Sequence, residues 1–211
     1  MITIVDYGTS NVASVQNMLQ KIRCPSVITS SYQEIRDAQV IILPGVGLFD
    51  AAMNNLENLG LVKLLQYKAN VENIPFLGIC LGMQLLGESS DEGEKKGLGI
   101  IKARSKKFVF SKGLGKKVPH MGWNAPIIQK PSEIFSGFHE QPYFYFVHSY
   151  YVVCEEKEDI LTETEYGVSF TSSFERNNVV GVQFHPEKSH RFGMQLLRNF
   201  ANSSINLPQE S

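Results

Sequence analysis

Ile74-Pro75-Phe76-Leu77-Gly78-Ile79-Cys80-Leu81-Gly82 is an apolar run that ends in a cysteine with a glycine two residues to either side. The run predicts a buried strand. The glycines let the chain turn sharply from that strand into a helix, where neighbouring Cβ atoms would otherwise collide. At such an elbow Cys80 stands at a helix N-terminus. The unsatisfied amides there favour negative charge, and with it the thiolate that attacks a carbonyl carbon. The same pentapeptide also suits a buried cysteine in a glycine-rich packing turn. A base and an oxyanion site elsewhere in the chain would separate the two readings.

A base appears far downstream, where Val179-Val180-Gly181-Val182-Gln183-Phe184 reads as a buried strand running into His185-Pro186-Glu187. In an extended segment His185 and Glu187 project to the same side, and Pro186 stiffens the link. The imidazole can then face the thiol while the carboxylate holds its other nitrogen. This supplies nucleophile, base and acid in the chain order Cys80, His185, Glu187. Upstream, Val40-Ile41-Ile42-Leu43 predicts another strand, followed by Pro44-Gly45-Val46-Gly47. The amide of Val46 or of Gly47, joined by that of Leu81, suits a tetrahedral oxyanion; an ordinary Pro-Gly turn is the plainer alternative.

With Pro44-Gly45-Val46-Gly47, Gly78-Ile79-Cys80-Leu81-Gly82-Met83-Gln84 and His185-Pro186-Glu187 in that order, the chain resembles the class I, or triad, glutamine amidotransferases over nearly its whole length. The resemblance implies that Cys80 attacks the side-chain amide of L-glutamine, that His185 protonates the departing ammonia, and that water hydrolyses a glutamyl thioester. Gln84 and Glu92 match positions that contact the substrate glutamine; read alone, they are a helix-surface amide and a solvated loop acid.

Val118-Pro119-His120-Met121-Gly122-Trp123-Asn124 and Tyr145-Phe146-Val147-His148-Ser149-Tyr150 are similar to the glutaminase-subunit branch of the imidazole glycerol phosphate synthases. So is the opening Ile2-Thr3-Ile4-Val5-Asp6-Tyr7-Gly8 with Asn11. In that branch Ser149 and Tyr150 match residues that hold the glutamine backbone. The segments around Trp123 and Tyr145 face a cyclase partner, which makes His120, Met121, Trp123, Asn124 and Tyr145 candidates for an interface or gate. Read physically, Trp123 is equally a core anchor, the aromatic run one hydrophobic strand, and His148 a structural histidine. The branch implies a heterodimer whose partner receives ammonia and makes imidazole glycerol phosphate and an aminoimidazole carboxamide ribotide in histidine biosynthesis. A paralogue feeding a different, for example sugar-modifying, synthase is the alternative. Hydrolysis without the partner should be low, with a peptide flip in Pro44–Gly47 as the physical candidate for the gate.

The remaining sequence agrees. A length of 211 residues with 43% hydrophobic content fills one sizeable core, giving a single domain over residues 1–203 and a loose tail over 204–211. Three scattered cysteines fit no disulfide framework or metal cluster, so no metal is expected and a reducing compartment is implied, and no phosphate-cradling Gly-x-Gly-x-x-Gly follows the first strand, so no cofactor is expected. No basic, apolar leader and no membrane-length apolar run is visible, so a cytoplasmic protein is expected. A net charge of −1 argues against a nucleic-acid binder. One basic block, Lys102, Arg104, Lys106, Lys107, Lys112, Lys116, Lys117 and Lys130, is either a solvated hairpin or a surface for an acidic partner or phosphorylated ligand.

The apolar spacing predicts strands at 2–5 and 26–29, a helix from Val12 to Ile22 between them, two helical pieces between Leu48 and Asn70, and a final helix over 191–202. The middle third, 100–173, reads as short alternating strands. The expected class is α/β: an open, mostly parallel, flavodoxin-like sheet flanked by helices, with extra antiparallel strands in the middle third.

Overall fold

A computed structural model describes residues 1–8, 11–111, 113 and 115–203. The proposed tail over 204–211 and Lys112 of the basic block lie outside the described residues. The chain opens with β1 (Ile2–Val5), α1 (Val12–Lys21), β2 (Ser26–Thr29), α2 (Tyr32–Arg36) and β3 (Ile41–Gly45). Helices α3 (Phe49–Asn58) and α4 (Leu61–Asn70) follow, then β4 (Phe76–Cys80) and α5 (Leu81–Leu85). The middle third supplies β5 (Ser89–Ser90), β6 (Ala103–Lys107), β7 (His120–Asn124), β8 (Ile127–Ile128), β9 (Phe144–His148), β10 (Tyr150–Cys154), β11 (Ile160–Glu165) and β12 (Ser169–Arg176). Strand β13 (Val179–Val182) and α6 (His190–Ser203) close the chain.

Five strands pair in parallel in the order β2-β1-β3-β4-β13, the doubly wound flavodoxin-like order with β13 in the fifth place. Beyond β13 the sheet continues as antiparallel β12, β10 and β6, while β7 and β9 form a separate two-stranded ribbon. Successive strand residues face opposite ways, and each face has its own core. Ile4, Ile42, Leu77, Ile79 and Val180 pack against Val15 and Leu19 of α1 and Leu196, Leu197 and Phe200 of α6. Val5, Ile41, Leu43 and Phe76 pack against Leu56, Leu61 and Leu65 of the α3–α4 pair. Gly60, in left-handed conformation at φ 69°, breaks that pair where Asn58 and Gly60 interrupt its apolar spacing.

Two local expectations need correction, and one short helix has no counterpart in the sequence reading. Pro44-Gly45 is not a turn, because β3 runs through both residues and pairs Pro44 with Ile79 and Gly45 with Cys80. Pairing with β1 ends at Ile42, so the missing N–H of Pro44 breaks no ladder on that side. Strand β13 stops at Val182 rather than Phe184. Helix α2, only five residues long, shows no readable period, yet Ser31 caps it by accepting a hydrogen bond from the Glu34 amide, the Ser-x-x-Glu signature of a helix start.

The elbow is a packing corner in which β3, β4 and α5 approach too closely for side chains. A Cβ on Gly82 would overlap the Leu43 carbonyl, and one on Gly78 would press on the Gly82 backbone and on Leu86. Gly82→Ala should therefore lose about 3 kcal/mol or more of stability, read as a lower urea midpoint; an unchanged midpoint would mean that the corner relaxes freely.

Candidate active site

Cys80 ends β4 with φ 54° and ψ −109°, a conformation that a non-glycine residue adopts only when its surroundings impose it. The residue is 6% exposed, with the Val147 carbonyl at 3.9 Å from Sγ and Gln183 Nε2 at 3.7 Å. The next amide, Leu81, opens α5 and has no intrahelical acceptor. Because Gly45 pairs with Cys80, the chain beyond it carries Val46 and Gly47 past the elbow. Gly47 takes φ 117°, open to glycine and costly for other residues.

His185 reaches the same place from β13. It is fully buried, and its amide donates to Tyr145 O at 2.9 Å. The expected extended His-Pro-Glu is not what forms. Pro186–Lys188 is a 3-10 turn with proline at its first position, and the turn itself brings Glu187 back onto the ring, His185 Nδ1 to Glu187 Oε1 at 2.7 Å. Ser189 Oγ donates to His185 O at 2.6 Å and accepts from the Tyr145 amide at 3.0 Å, fixing the segment. The outer nitrogen, Nε2, is buried and makes no well-aligned hydrogen bond among the described residues, and the Cys80 sulfur lies near the ring. Burial alone would lower the His185 pKa, but the nearby Cys80 sulfur and the Glu187 carboxylate outweigh it and raise the imidazolium above the usual histidine range. The charged imidazolium is thus favoured beside the Cys80 sulfur.

A cleft of about 300 Å³ opens over Cys80, at the small end of the range for ligand sites. Its walls include Val46, Gly47, Leu81, Gln84, Glu92, Ser149 and Tyr150, so every residue expected at the oxyanion or glutamine positions lines one cavity. Gln84 is no surface amide: it is buried and donates to Tyr150 O and to Gln183 Oε1, both at 3.1 Å. Glu92 Oε2 accepts from the Phe49 amide at the start of α3, at 2.9 Å. Gln183 is the residue that sequence reasoning misses. It follows β13 directly, is fully buried and lies between Gln84 and the thiol. A glutamine at the end of an otherwise apolar run is the available signal.

The sequence profile described as "Glutamine amidotransferase class-I" matches residues 3–203. The chain belongs to the class-I glutamine amidotransferases. Among its relatives, the imidazole glycerol phosphate synthase subunit HisH 2 of Methanococcus maripaludis is 51% identical over 95% of this chain and 98% of its own. The protein of the same name from Pseudomonas aeruginosa is 48% identical over the same shares of both chains. The crystal structure of a glutamine amidotransferase from Thermotoga maritima shares the fold at TM-score 0.66 and 14% identity, over 98% of this chain and 98% of that one.

The residues expected to meet a partner divide within this amidotransferase. Met121 and Trp123 stand 62% and 47% exposed. Trp123 is therefore not a core anchor; it stacks on the His190 ring at 5.4 Å and meets Tyr145 edge-on at 6.0 Å. Tyr145 is half-buried. His120 is 2% exposed, so its side chain faces no partner: alternation along β7 turns it inward onto Tyr166 and Phe146. Part of the basic block also works internally. Lys130 donates to Glu175 O at 2.8 Å, and the Lys116 ammonium lies 4.8 Å from the Tyr166 ring centroid.

His120 and His148 form a directional chain behind the cleft. The Tyr150 carbonyl accepts at 2.7 Å, which places the His148 proton on Nδ1. Neutral Nε2 then accepts from His120 Nδ1 at 3.0 Å, and His120 Nε2 accepts from Asn124 Nδ2 at 3.3 Å. Burial, reinforced by the Lys116 charge, lowers His120 to about 4. Burial lowers His148 to about 3, against the pull of the Tyr150 carbonyl. Below an unfolded value of about 6.5 the unfolded chain takes up protons that these rings refuse, so stability falls as pH falls through that window. His148→Gln should flatten the loss between pH 7 and pH 5 by about 2 kcal/mol, measured by urea unfolding at both values; an unchanged pH dependence would refute neutral burial.

Proposed function

We propose that this chain is the glutaminase subunit of an imidazole glycerol phosphate synthase, hydrolysing L-glutamine and passing ammonia to a cyclase partner in histidine biosynthesis. The observation that carries the reading is the buried 2.7 Å His185–Glu187 pair beside Cys80, whose strained elbow lines a cleft of about 300 Å³. Relatives 51% and 48% identical bear the name of that subunit.

The Cys80 thiolate attacks the side-chain carbonyl carbon of glutamine. The oxyanion that forms meets the Leu81 amide and that of Val46 or Gly47, donors worth about 100- to 1,000-fold each in rate. His185 gives its Nε2 proton to the nitrogen, ammonia leaves, and a glutamyl thioester remains. Neutral His185 then takes a proton from water, the water attacks the thioester, and glutamate departs as the thiolate re-forms. Glu187 holds the ring in the tautomer that directs Nε2 at the reaction and stabilises its charge. Gln84, Glu92, Ser149 and Tyr150 line the cavity where glutamine would lie.

The partner face in this reading is the exposed pair Met121 and Trp123, with half-buried Tyr145 beside them. Its backbone is one hydrogen bond from His185, through Tyr145 O. The gate narrows to Val46-Gly47, since Pro44 and Gly45 are held in β3 against β4. A single domain over residues 1–203 and a cytoplasmic location complete the reading, the latter supported by three free cysteines.

Glutamate production from glutamine should be low for the chain alone and strongly stimulated by a histidine-pathway cyclase with its ribonucleotide ligand. Cys80→Ala should abolish it. High activity without a partner would indicate a free-standing amidase, and stimulation only by another synthase would indicate the paralogous role. Glu187→Gln removes a charge that raises the His185 pKa. It should lower kcat by about 100- to 10,000-fold and move the alkaline limb of kcat/KM to lower pH; an unmoved limb would remove Glu187 from this role.

A further inference from the structure

Asn11 occupies the N-cap of α1, its carbonyl accepting from the Ser14 and Val15 amides at 3.1 and 3.2 Å. Asparagine is among the strongest N-cap residues because its side-chain oxygen ordinarily accepts from the amide two or three residues on. Here the side chain makes no such bond. It is 5% exposed and turned away from its own helix, with Nδ2 donating to Glu187 Oε1 at 3.3 Å across 176 positions of sequence. The accepting oxygen is the one that also receives His185 Nδ1 at 2.7 Å. A residue suited to stabilising its own helix has given up that bond for a buried carboxylate beside the candidate base, and such local conflicts mark functional positions.

We infer that Asn11 is a positioning residue for the hydrolytic reaction, acting through Glu187. The Glu187 side chain springs from a one-turn 3-10 segment, and its carboxylate can rotate to present either oxygen or neither to the imidazole. A second donor on Oε1, anchored in a ten-residue helix, holds that oxygen in line with His185 Nδ1. His185 Nε2 is thereby held toward Cys80. The inference rests on the glutaminase reading for its reaction, but the geometry it invokes is that of the resting pair.

The test is Asn11→Asp in the full chain with its cyclase partner. Aspartate caps helices as well as asparagine, so a capping role alone would leave both melting temperature and activity unchanged. It also puts a carboxylate against Glu187, and two carboxylates in contact share a proton. The expected result is a melting temperature lowered at neutral pH and recovering as pH falls and the pair takes up its shared proton, kcat lower by about tenfold or more with KM for glutamine unchanged, and a new acid limb in the kcat profile. Asn11→Ala should lower kcat without adding that limb. A second measurement needs no turnover: the pH dependence of Cys80 alkylation by iodoacetamide, with the Cys80→Ala chain as blank for Cys24 and Cys154. Asn11→Asp should displace its midpoint by about half a pH unit or more. Wild-type kcat and an unmoved midpoint in Asn11→Asp overturn the inference and leave the glutaminase reading standing. A displaced midpoint in a chain that hydrolyses no glutamine sinks that reading and keeps Asn11 as the residue that positions Glu187.

Discussion

The backbone of Cys80, held at φ 54° and ψ −109°, is the constraint on which the site depends. An L-residue enters that region only under compulsion. The compulsion comes from the corner where β4 stops and α5 starts against β3, a meeting without room for side chains at Gly78 and Gly82. Three consequences share this origin. The thiol points out of the sheet at a strand C-terminus, the first amide of α5 lies beside it with no intrahelical acceptor, and β3 is drawn alongside so that Val46 and Gly47 arrive at the same opening. Open α/β sheets bind ligands outside the carboxyl ends of their strands, and this corner gives that tendency an atomic cause.

The second half of the site is built on different physics. His185 and Glu187 are set by a short turn and by hydrogen bonds from neighbours, not by steric exclusion. The polar atoms behind the cleft form nearly continuous lines: Asn124 to His120 to His148 to the Tyr150 carbonyl, and Gln183 to Gln84 to the same carbonyl. Buried polar networks of this kind are rigid when satisfied and costly when broken. The Tyr150 carbonyl, which accepts from both lines, is therefore held in place at the wall of the cavity.

Much of this is legible in the sequence, and the failures have physical reasons. The elbow, the first βαβ unit, the paired helices split at Gly60 and the last helix all carry a period or a glycine that no competing structure explains as well. The proximity of His185 and Glu187 is legible too, but with the wrong backbone. An extended link and an extended His185 capping a 3-10 turn can both bring Glu187 to the ring, and Pro186 is compatible with either. His120 shares a motif with surface residues, although β7 alternates and buries it while exposing Met121 and Trp123. Pro44-Gly45 looks like punctuation, because the absence of a β1 neighbour at that point is a property of the sheet. Gln183 escapes notice because a polar residue at the end of an apolar run carries no local signature of what it will face across the sheet.

The fifth place in the parallel core is filled by β13, so the partner strand of β4 comes from the far end of the chain. A nascent polypeptide completes its elbow, with the thiol in place, more than a hundred residues before its base is made. Until β13 is inserted the sheet has an open edge at β4 and the thiol has no imidazole opposite it. Insertion closes that edge and brings in the base in one event, through contacts so distant in sequence that they form late. The competence of the thiol is in this way tied to the pairing of β13 with β4, and a chain that stops short of β13 has a nucleophile without the means to use it.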